Sequence, residues 1–478
     1  MKALIIAAGR GSSFRGQAPR SHKTLIPVCG LTVIERIVAA CPQTEELVIV
    51  TGYQAQELEA KLTRILEGKI KFTFIRNPEW EKANGISVLA ARDALSGEKA
   101  FLLSMSDHVY EPALVELLTA EPPCPGQCLL AVDRNLGACF DLNDATKVKL
   151  DGTGKIVNIG KQIADFNAVD TGVFYCTPSI FYALAEASSA GRESLSDGVR
   201  VLCRKGAMGY RDVSGAMWQD VDEPDSLAEA EKRLWRVAVK PRDGVVSRLF
   251  NRKVSALVTR LICGLPVRPN HVTLFNLFLA AAASLLIASG QFLAGGLAAQ
   301  FYSIVDGVDG ELARLKHQGS WFGGWLDNVT DRLCDWMLIS AAAWSITRVG
   351  TGKETAWIFM AAALFSNILY WTAMDSLLVS GILRTPETKG NFLARVEKWF
   401  YEREMVFGLT HDSYLLILAV GVALRKPAAT LAVLIVLETF WWAIKLIQVR
   451  KTRPSEKYAE FLARENAGKA QRAESAAL

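Results

Sequence analysis

The sequence predicts two folds in tandem: an α/β head on a Rossmann-like, mostly parallel sheet over residues 1–232, and an all-α body of six transmembrane helices over residues 270–450. Three observations predict this. Residues 1–232 alternate short apolar strands with helical segments, the pattern of a parallel sheet flanked by helices. Residues 270–448 hold successive apolar stretches long enough to cross a bilayer. Between them, residues 233–269 interleave basic and apolar residues, and a polar tail occupies 451–478. With 478 residues and 50% hydrophobic content, the chain is too long for one domain and too apolar for an ordinary soluble protein. A net charge of +5 gives no reason to expect a nucleic-acid partner.

The head opens on Lys2–Ala8, a buried-strand pattern followed at once by glycines and charge, so MKALIIAAG is read as a first strand and not as a signal peptide. The strand runs into GRGSSFRG, and a glycine-rich turn after a first strand lets backbone N–H groups approach a phosphate. Further strands are expected at 47–53, 99–110 and 127–133, with helices at 54–68 and 85–95. The nine cysteines are scattered and odd in number, which fits neither a disulfide framework nor a zinc site and suits a reducing, cytoplasmic setting. Asp107 closes an apolar strand, where parallel sheets bind ligands.

Four segments of the head resemble the nucleoside-triphosphate sugar transferases: AAGRGSSF, HKTLIPV at 22–28, the strand ending at Asp107, and WQDVDEPDSL at 218–227. The resemblance implies that the loop around Gly9, Arg10 and Gly11 wraps a triphosphate and that Lys23 neutralises the transferring phosphates as a catalytic residue. It also implies that Asp107 and a later acid hold Mg²⁺. Asp220 and Asp222 compete for that second place, and Asp222 is favoured. Two positions depart from the family pattern, Ser13 where an Arg is usual and His22 where a Pro is usual, and Arg15 or Arg20 is available to supply the missing charge. The segment at 77–91 resembles the nucleotide side of cytidylyltransferases, with Asn84, Gly85 and Ser87 at base or ribose, although helix capping alone would also explain an Asn-Gly-x-Ser run. The segment at 159–175 resembles their acceptor region, with Lys161 on a phosphate and Asp170 on ring hydroxyls. A solvated surface lysine is the plain alternative for Lys161.

In the body, Asp306, Asp309, Asp327 and Asp331 lie among apolar runs. One ionised Asp near a bilayer centre costs about 2.5–3.5 kcal/mol even on the lenient insertion scale, so four imply a divalent cation. On helices, Asp306 and Asp309 share one face, as do Asp327 and Asp331, so two facing helices converge the carboxylates. The spacing D-x2-D-G-x2-A-R-x8-G-x3-D-x3-D is met at every fixed position, and over residues 239–450 the chain resembles the CDP-alcohol phosphotransferases. That resemblance implies Mg²⁺ (or Mn²⁺) on the four acids and nucleotide contacts at Gly310, Ala313, Arg314 and Gly323. Asp331 is implied as general base, and Asn270 and Thr273 as polar groups beside the site. Capping explains Asn270 about as well. A proton relay is the ordinary alternative for such acids, but it does not require the interposed glycines, alanine and arginine.

Six spans are expected, at 270–289, 292–312, 325–347, 356–381, 408–425 and 428–448. Basic residues such as Arg314, Lys316, Arg384, Lys389, Arg395 and Lys445 flank the faces that would then be cytoplasmic, placing the head and the C-terminus on the inner side of the cell membrane. Residues 234–268 read as an amphipathic helix on the membrane surface.

The tandem order resembles the family of bifunctional inositol-1-phosphate cytidylyltransferases and di-myo-inositol phosphate phosphate synthases. The implied partners are CTP, inositol 1-phosphate or another phospho-alcohol, the CDP-alcohol, a lipid bilayer and a second copy of the chain. Two other readings stay open: phospholipid synthesis with a lipid acceptor, and a head that only binds nucleotide and regulates the body.

Overall fold

The computed structural model describes residues 1–10, 22–240, 242–379 and 392–451. Arg384, Lys389 and the tail beyond Lys451 lie outside the described residues. The chain divides into two compact units, Met1–Val237 with Leu315–His317, and Ala238–Arg314 with the residues from Gln318 onward. Helix Pro224–Ala238 runs through residue 232, where the composition changes, and ends six residues later.

The head is a nine-stranded sheet. Its strands are β1 (Lys2–Ala7), β2 (Glu46–Thr51), β3 (Lys71–Arg76), β4 (Phe101–Met105), β5 (Cys128–Asp133), β6 (Lys147–Leu150), β7 (Ile156–Gly160), β8 (Ala168–Cys176) and β9 (Met208–Asp212). β4, β1, β2 and β3 lie side by side and parallel, with Ile5 opposite Ile49 on one flank and Ser104 on the other. Both faces of β1 and β2 are covered, which is why their sequences are continuous apolar runs with no alternation. The crossovers are helices. Val33–Ala40 starts on a capping box between Thr32 and Glu35, and Ala55–Leu66 buries Leu58, Leu62 and Leu66 along one stripe. On the other side of β4 the sheet turns antiparallel through β8, which pairs with β4, β5 and β6. The core gathers Leu4, Val48, Leu103, Leu130, Phe174 and Phe181.

The parallel order β4-β1-β2-β3 makes the gap between β1 and β4 a switch point, the place where such sheets open a crevice for ligands. The loop after β1 begins at Gly9 and the turn after β4 carries Asp107, so the topology delivers both to one edge.

The body contains an amphipathic helix, α1 (Arg252–Ile262), preceded by a π-turn at Ser247–Asn251. Then come α2 (Pro269–Ala288), α3 (Phe292–Leu315), α4 (Trp321–Ser345), α5 (Lys353–Val379), α6 (Phe392–Tyr401), α7 (His411–Ala423) and α8 (Pro427–Lys451). The single helix expected over 234–268 is broken at Asp243 and Gly244, where Asp243 bridges Met405 instead. Pro269 takes the first helical position of α2, and the Ser320 hydroxyl caps α4 by accepting from Gly323 N at 2.9 Å, starting it before the expected residue 325.

Helices occupy all six stretches expected to span. By length and composition, and among the described residues, three of them, Pro269–Ala288, Lys353–Met374 and Pro427–Ile447, are long and apolar enough to cross a membrane. α3 and α4 are long enough but carry the acids, and α7 is apolar but has only 13 residues. α2 lies along α4, with Ala280, Ala283 and Ala341–Ala343 in one buried cluster, since small side chains let helix backbones approach closely.

One close approach in the head is testable. A Cβ on Gly85 would lie 2.5 Å from Glu193 O, because helix Asn84–Ala90 abuts the start of helix Leu195–Arg204. Overpacking of this kind costs about 1–3 kcal/mol. Gly85→Ala should lower the unfolding midpoint of the head by about 3–10 °C, read by differential scanning calorimetry of the full-length chain.

Candidate active sites

In the head, a two-stranded ribbon of His108–Tyr110 and Trp218–Asp220 holds two acid-bearing turns together, with His108 opposite Asp220. Val221 N donates to Asp107 O at 2.7 Å, which fixes the second turn. Lys23, on a short turn of helix at Lys23–Leu25, reaches in between: its Nζ is 2.6 Å from Asp222 Oδ1 and 3.9 Å from Asp107 Oδ2. Of the two late acids, Asp222 faces Lys23, while Asp220 accepts from its neighbour Gln219 Nε2 at 2.6 Å.

His108, which no motif singled out, lies 2.8 Å from Asp107 through Nδ1. Its ring fills the space where Gly172 would carry a Cβ, and Gly172 has φ +75°, so only glycine suits this point of β8. Burial works against both charges, lifting the carboxyl and lowering the imidazole, but their mutual hydrogen bond and attraction outweigh it. Asp107 is held at about 2 and His108 is raised to about 9. Asp222 is shifted upward, by burial and then by repulsion from Asp107. Asp170, pushed up to about 6 by burial, accepts from Gly172 N at 2.7 Å.

The remaining head residues are placed as follows. Gly9 is exposed with open space around it, and the Arg10 guanidinium lies over the Tyr53 ring at 5.6 Å. Gly11, Ser13, Arg15 and Arg20 lie outside the described residues. Asn84 Oδ1 accepts from Leu195 N at 2.9 Å, and Ser87, buried, accepts from Asn77 Nδ2 at 3.0 Å. Lys161 is exposed and paired with Asp144 at 2.7 Å.

In the body, α3 and α4 present Asp306 and Asp309, and Asp327 and Asp331. One carboxylate oxygen each of Asp306 and Asp331 and one ring nitrogen of His411 lie within 4.8 Å of one another. Asp309 and Asp327 meet within hydrogen-bonding reach of each other. Asp309 also accepts from Thr273 Oγ1 at 2.6 Å, which ties the first turn of α2 to α3. A Cβ on Gly323 would lie 3.2 Å from Asn270 Oδ1, so Asn270 borders the start of α4, and Gly310 leaves room for the Arg314 guanidinium, whose Nε donates to Ala238 O at 2.5 Å.

Beside the motif, Glu311 is 1% exposed and accepts from Ser255 and Thr259 hydroxyls, both at 2.6 Å, and from Arg252 at 3.2 Å. Arg252 also pairs with Asp243, completing the link from the Asp-Gly turn to α3. Asp335 continues the ladder of Asp327 and Asp331 by one more turn and is wholly buried. Carboxylates this close in an apolar helix bundle need a counter-charge, and oxygen donors gathered from facing helices suit a hard divalent cation. The buried Tyr302 hydroxyl, next to the weakly accepting Cys334 thiol and near Asp306 and Asp331, is a further polar group at the same place.

These two centres define the class of the molecule: a nucleotidyltransferase joined to a CDP-alcohol phosphotransferase. Residues 3–143 match the MobA-like NTP transferase domain family and residues 266–398 the CDP-alcohol phosphatidyltransferase family. The chain is 34% identical over 434 residues to the bifunctional IPC transferase and DIPP synthase of Rubrobacter xylanophilus, covering 90% of this chain and 92% of that one. It is 33% identical over 375 residues to the protein of the same name from Aquifex aeolicus, covering 77% and 82%. The chain belongs to this family of bifunctional IPC transferase and DIPP synthases. Among solved structures, the inositol-1-phosphate CTP transferase from T. maritima is similar, at 22% identity and a TM-score of 0.44 over 48% of this chain and 95% of that one.

The Asp107–His108 pair sets a pH dependence. Asp107, depressed from 3.8 to about 2, contributes stability that is present above pH 3.8 and lost as pH falls through about 2. His108, raised from 6.5 to about 9, contributes stability present below pH 6.5 and lost as pH rises through about 9. With chelator present, amide protection of residues 101–110 and 218–222, corrected for intrinsic exchange, should fall between pH 6.5 and 9. In His108→Gln that decline should disappear.

Proposed function

We infer that the chain performs two consecutive reactions at its two centres. The head converts CTP and inositol 1-phosphate into CDP-inositol and pyrophosphate. The body then transfers phosphoinositol from CDP-inositol to a second inositol 1-phosphate, releasing CMP. The observation that carries the reading is the presence in one family member of both a Lys23–Asp107–Asp222 cluster at a sheet switch point and a half-buried carboxylate cluster on facing helices.

In the head, the inositol phosphate oxygen attacks the α-phosphorus of CTP and pyrophosphate leaves. Lys23 is positioned to neutralise the phosphates that approach each other, and the backbone after β1 to cradle the triphosphate. Asp107 and Asp222 are the metal ligands, and His108 holds Asp107 in its ionised form. Asp170, near the gap filled by His108, is the residue for ring hydroxyls.

In the body, Asp306, Asp309, Asp327 and Asp331 are the metal ligands, and Arg314 has the planar fork that suits a phosphate. Asp331 accepts the proton from the attacking hydroxyl, the role of a general base. Thr273, by donating to Asp309, holds that carboxylate in one orientation. Mg²⁺ or Mn²⁺ bound at the two centres would screen phosphate charge and stabilise the leaving group.

The domain organisation that goes with this is a head at 1–232, a surface helix region at 233–269, a membrane body at 270–450 and a polar tail. The body crosses the membrane six times, with the head and C-terminus cytoplasmic. Consecutive helices at all six stretches and the basic residues at their ends support this topology.

Purified full-length chain given CTP, Mg²⁺ and inositol 1-phosphate should yield the di-inositol product by mass spectrometry. Asp331→Asn should keep pyrophosphate release while CMP release drops at least about 100-fold, so that CDP-inositol accumulates. Asp107→Ala should do the reverse, losing pyrophosphate release but keeping CMP release from supplied CDP-inositol. CMP release at the parental rate in a correctly inserted Asp331→Asn chain would overturn the assignment of the body.

A further inference from the structure

His411 stands 80 residues beyond Asp331 in sequence and belongs to no motif, yet it completes a cluster of potential metal donors among the described residues of the body. Its ring nitrogen and one oxygen each of Asp306 and Asp331 lie within 4.8 Å of one another. Ligands on opposite sides of one divalent ion stand about 4–5 Å apart at bond lengths of 2.0–2.6 Å, so a single cation can touch all three.

The ring is held from behind. His411 Nε2 is 2.9 Å from Asp335 Oδ1, and Asp335, wholly buried, turns its other oxygen to Arg332 at 3.2 Å. The Arg332 guanidinium is in turn seated on the Trp371 ring at 4.3 Å, and Trp371 meets His411 edge-on with centroids 5.8 Å apart. In the tautomer in which Nε2 donates to Asp335, Nδ1 is the nitrogen left with a lone pair. This carboxylate–histidine arrangement is the one that fixes tautomer and orientation in metal-ligating histidines. The buried Tyr302 hydroxyl, near Asp306 and Asp331 and without an oxygen or nitrogen partner among the described residues, independently marks the same space as a place for a ligand.

We propose that His411 donates Nδ1 to the divalent cation held by Asp306 and Asp331, and that Asp335 and Arg332 are its positioning residues. This rests on the metal-dependent reading of the body and adds a specificity to it. Mg²⁺ takes oxygen ligands almost exclusively, whereas first-row transition ions accept imidazole more readily, so a mixed set shifts the preference of this position from Mg²⁺ toward Mn²⁺.

The test uses full-length chain carrying Asp107→Asn and Asp222→Asn, so that the head retains no Mn²⁺, loaded with Mn²⁺ and read by electron spin echo envelope modulation. The expected result is nitrogen-14 coupling that becomes a nitrogen-15 pattern when the histidines are isotopically labelled, with no residue of the body altered. His411→Gln should lose the coupling while Mn²⁺ still binds, and Asp335→Asn should weaken Mn²⁺ about 10–100-fold, more than it weakens Mg²⁺. Bound Mn²⁺ without nitrogen coupling, or coupling that survives in His411→Gln, overturns the role of His411 and leaves the carboxylate site standing. Failure to retain any Mn²⁺ overturns both.

Discussion

Like charges brought together away from water are the constraint from which the rest of the body follows. Asp306, Asp309, Asp327 and Asp331 occupy two helices whose apolar residues share one buried cluster, and the surrounding groups manage that charge one carboxylate at a time. Thr273 donates to Asp309, Arg332 and His411 share Asp335, and Arg252 with two hydroxyls surrounds Glu311. A helix bundle that gave each acid its own cation from protein would leave nothing for a phosphate to recognise. Here the pair Asp306 and Asp331 forms no salt bridge among the described residues, and that pair is where positive charge from a bound ion is needed.

The head solves the same problem differently. Its acids sit at the rim of a sheet and not inside a bundle, so a single lysine reaching between Asp107 and Asp222 suffices, and His108 supplies a second partner from within the ribbon. The sheet topology does the placing: a switch in strand order between β1 and β4 leaves a crevice that no side chain has to carve out.

What was legible in the sequence tracks how local the physics is. The four body acids were readable because helix periodicity converts their spacing directly into a shared face. Asp335 obeys the same i+4 rule after Asp331 and could have been found by extending the ladder one turn. His411 could not, because its partner Asp335 is 76 residues away and only the packing of α7 brings them together. In the head, β1, β2, β4 and β5 were evident as apolar runs, but β3, β6, β7, β8 and β9 were not expected as strands. The KVKL of β6 alternates buried and half-exposed positions with lysines, as an antiparallel strand covered on one face should, and the lysines hide it. Asn84 and Ser87 read as ligand-contacting, with helix capping as the alternative, and the structure has both side chains engaged within the fold.

Glu311 has a consequence for how such a chain can change over time. It follows directly after Asp309 and Gly310, yet it serves α1 and not the metal-binding face, and three donors on another helix depend on it. Replacing it alone would take the carboxylate from two buried hydroxyls and leave Arg252 with only Asp243 and Gly307 O, and replacing any one of those donors would leave the carboxylate short. Substitutions here are therefore passable only in matched sets, and in a collection of related chains these four positions should drift together or not at all.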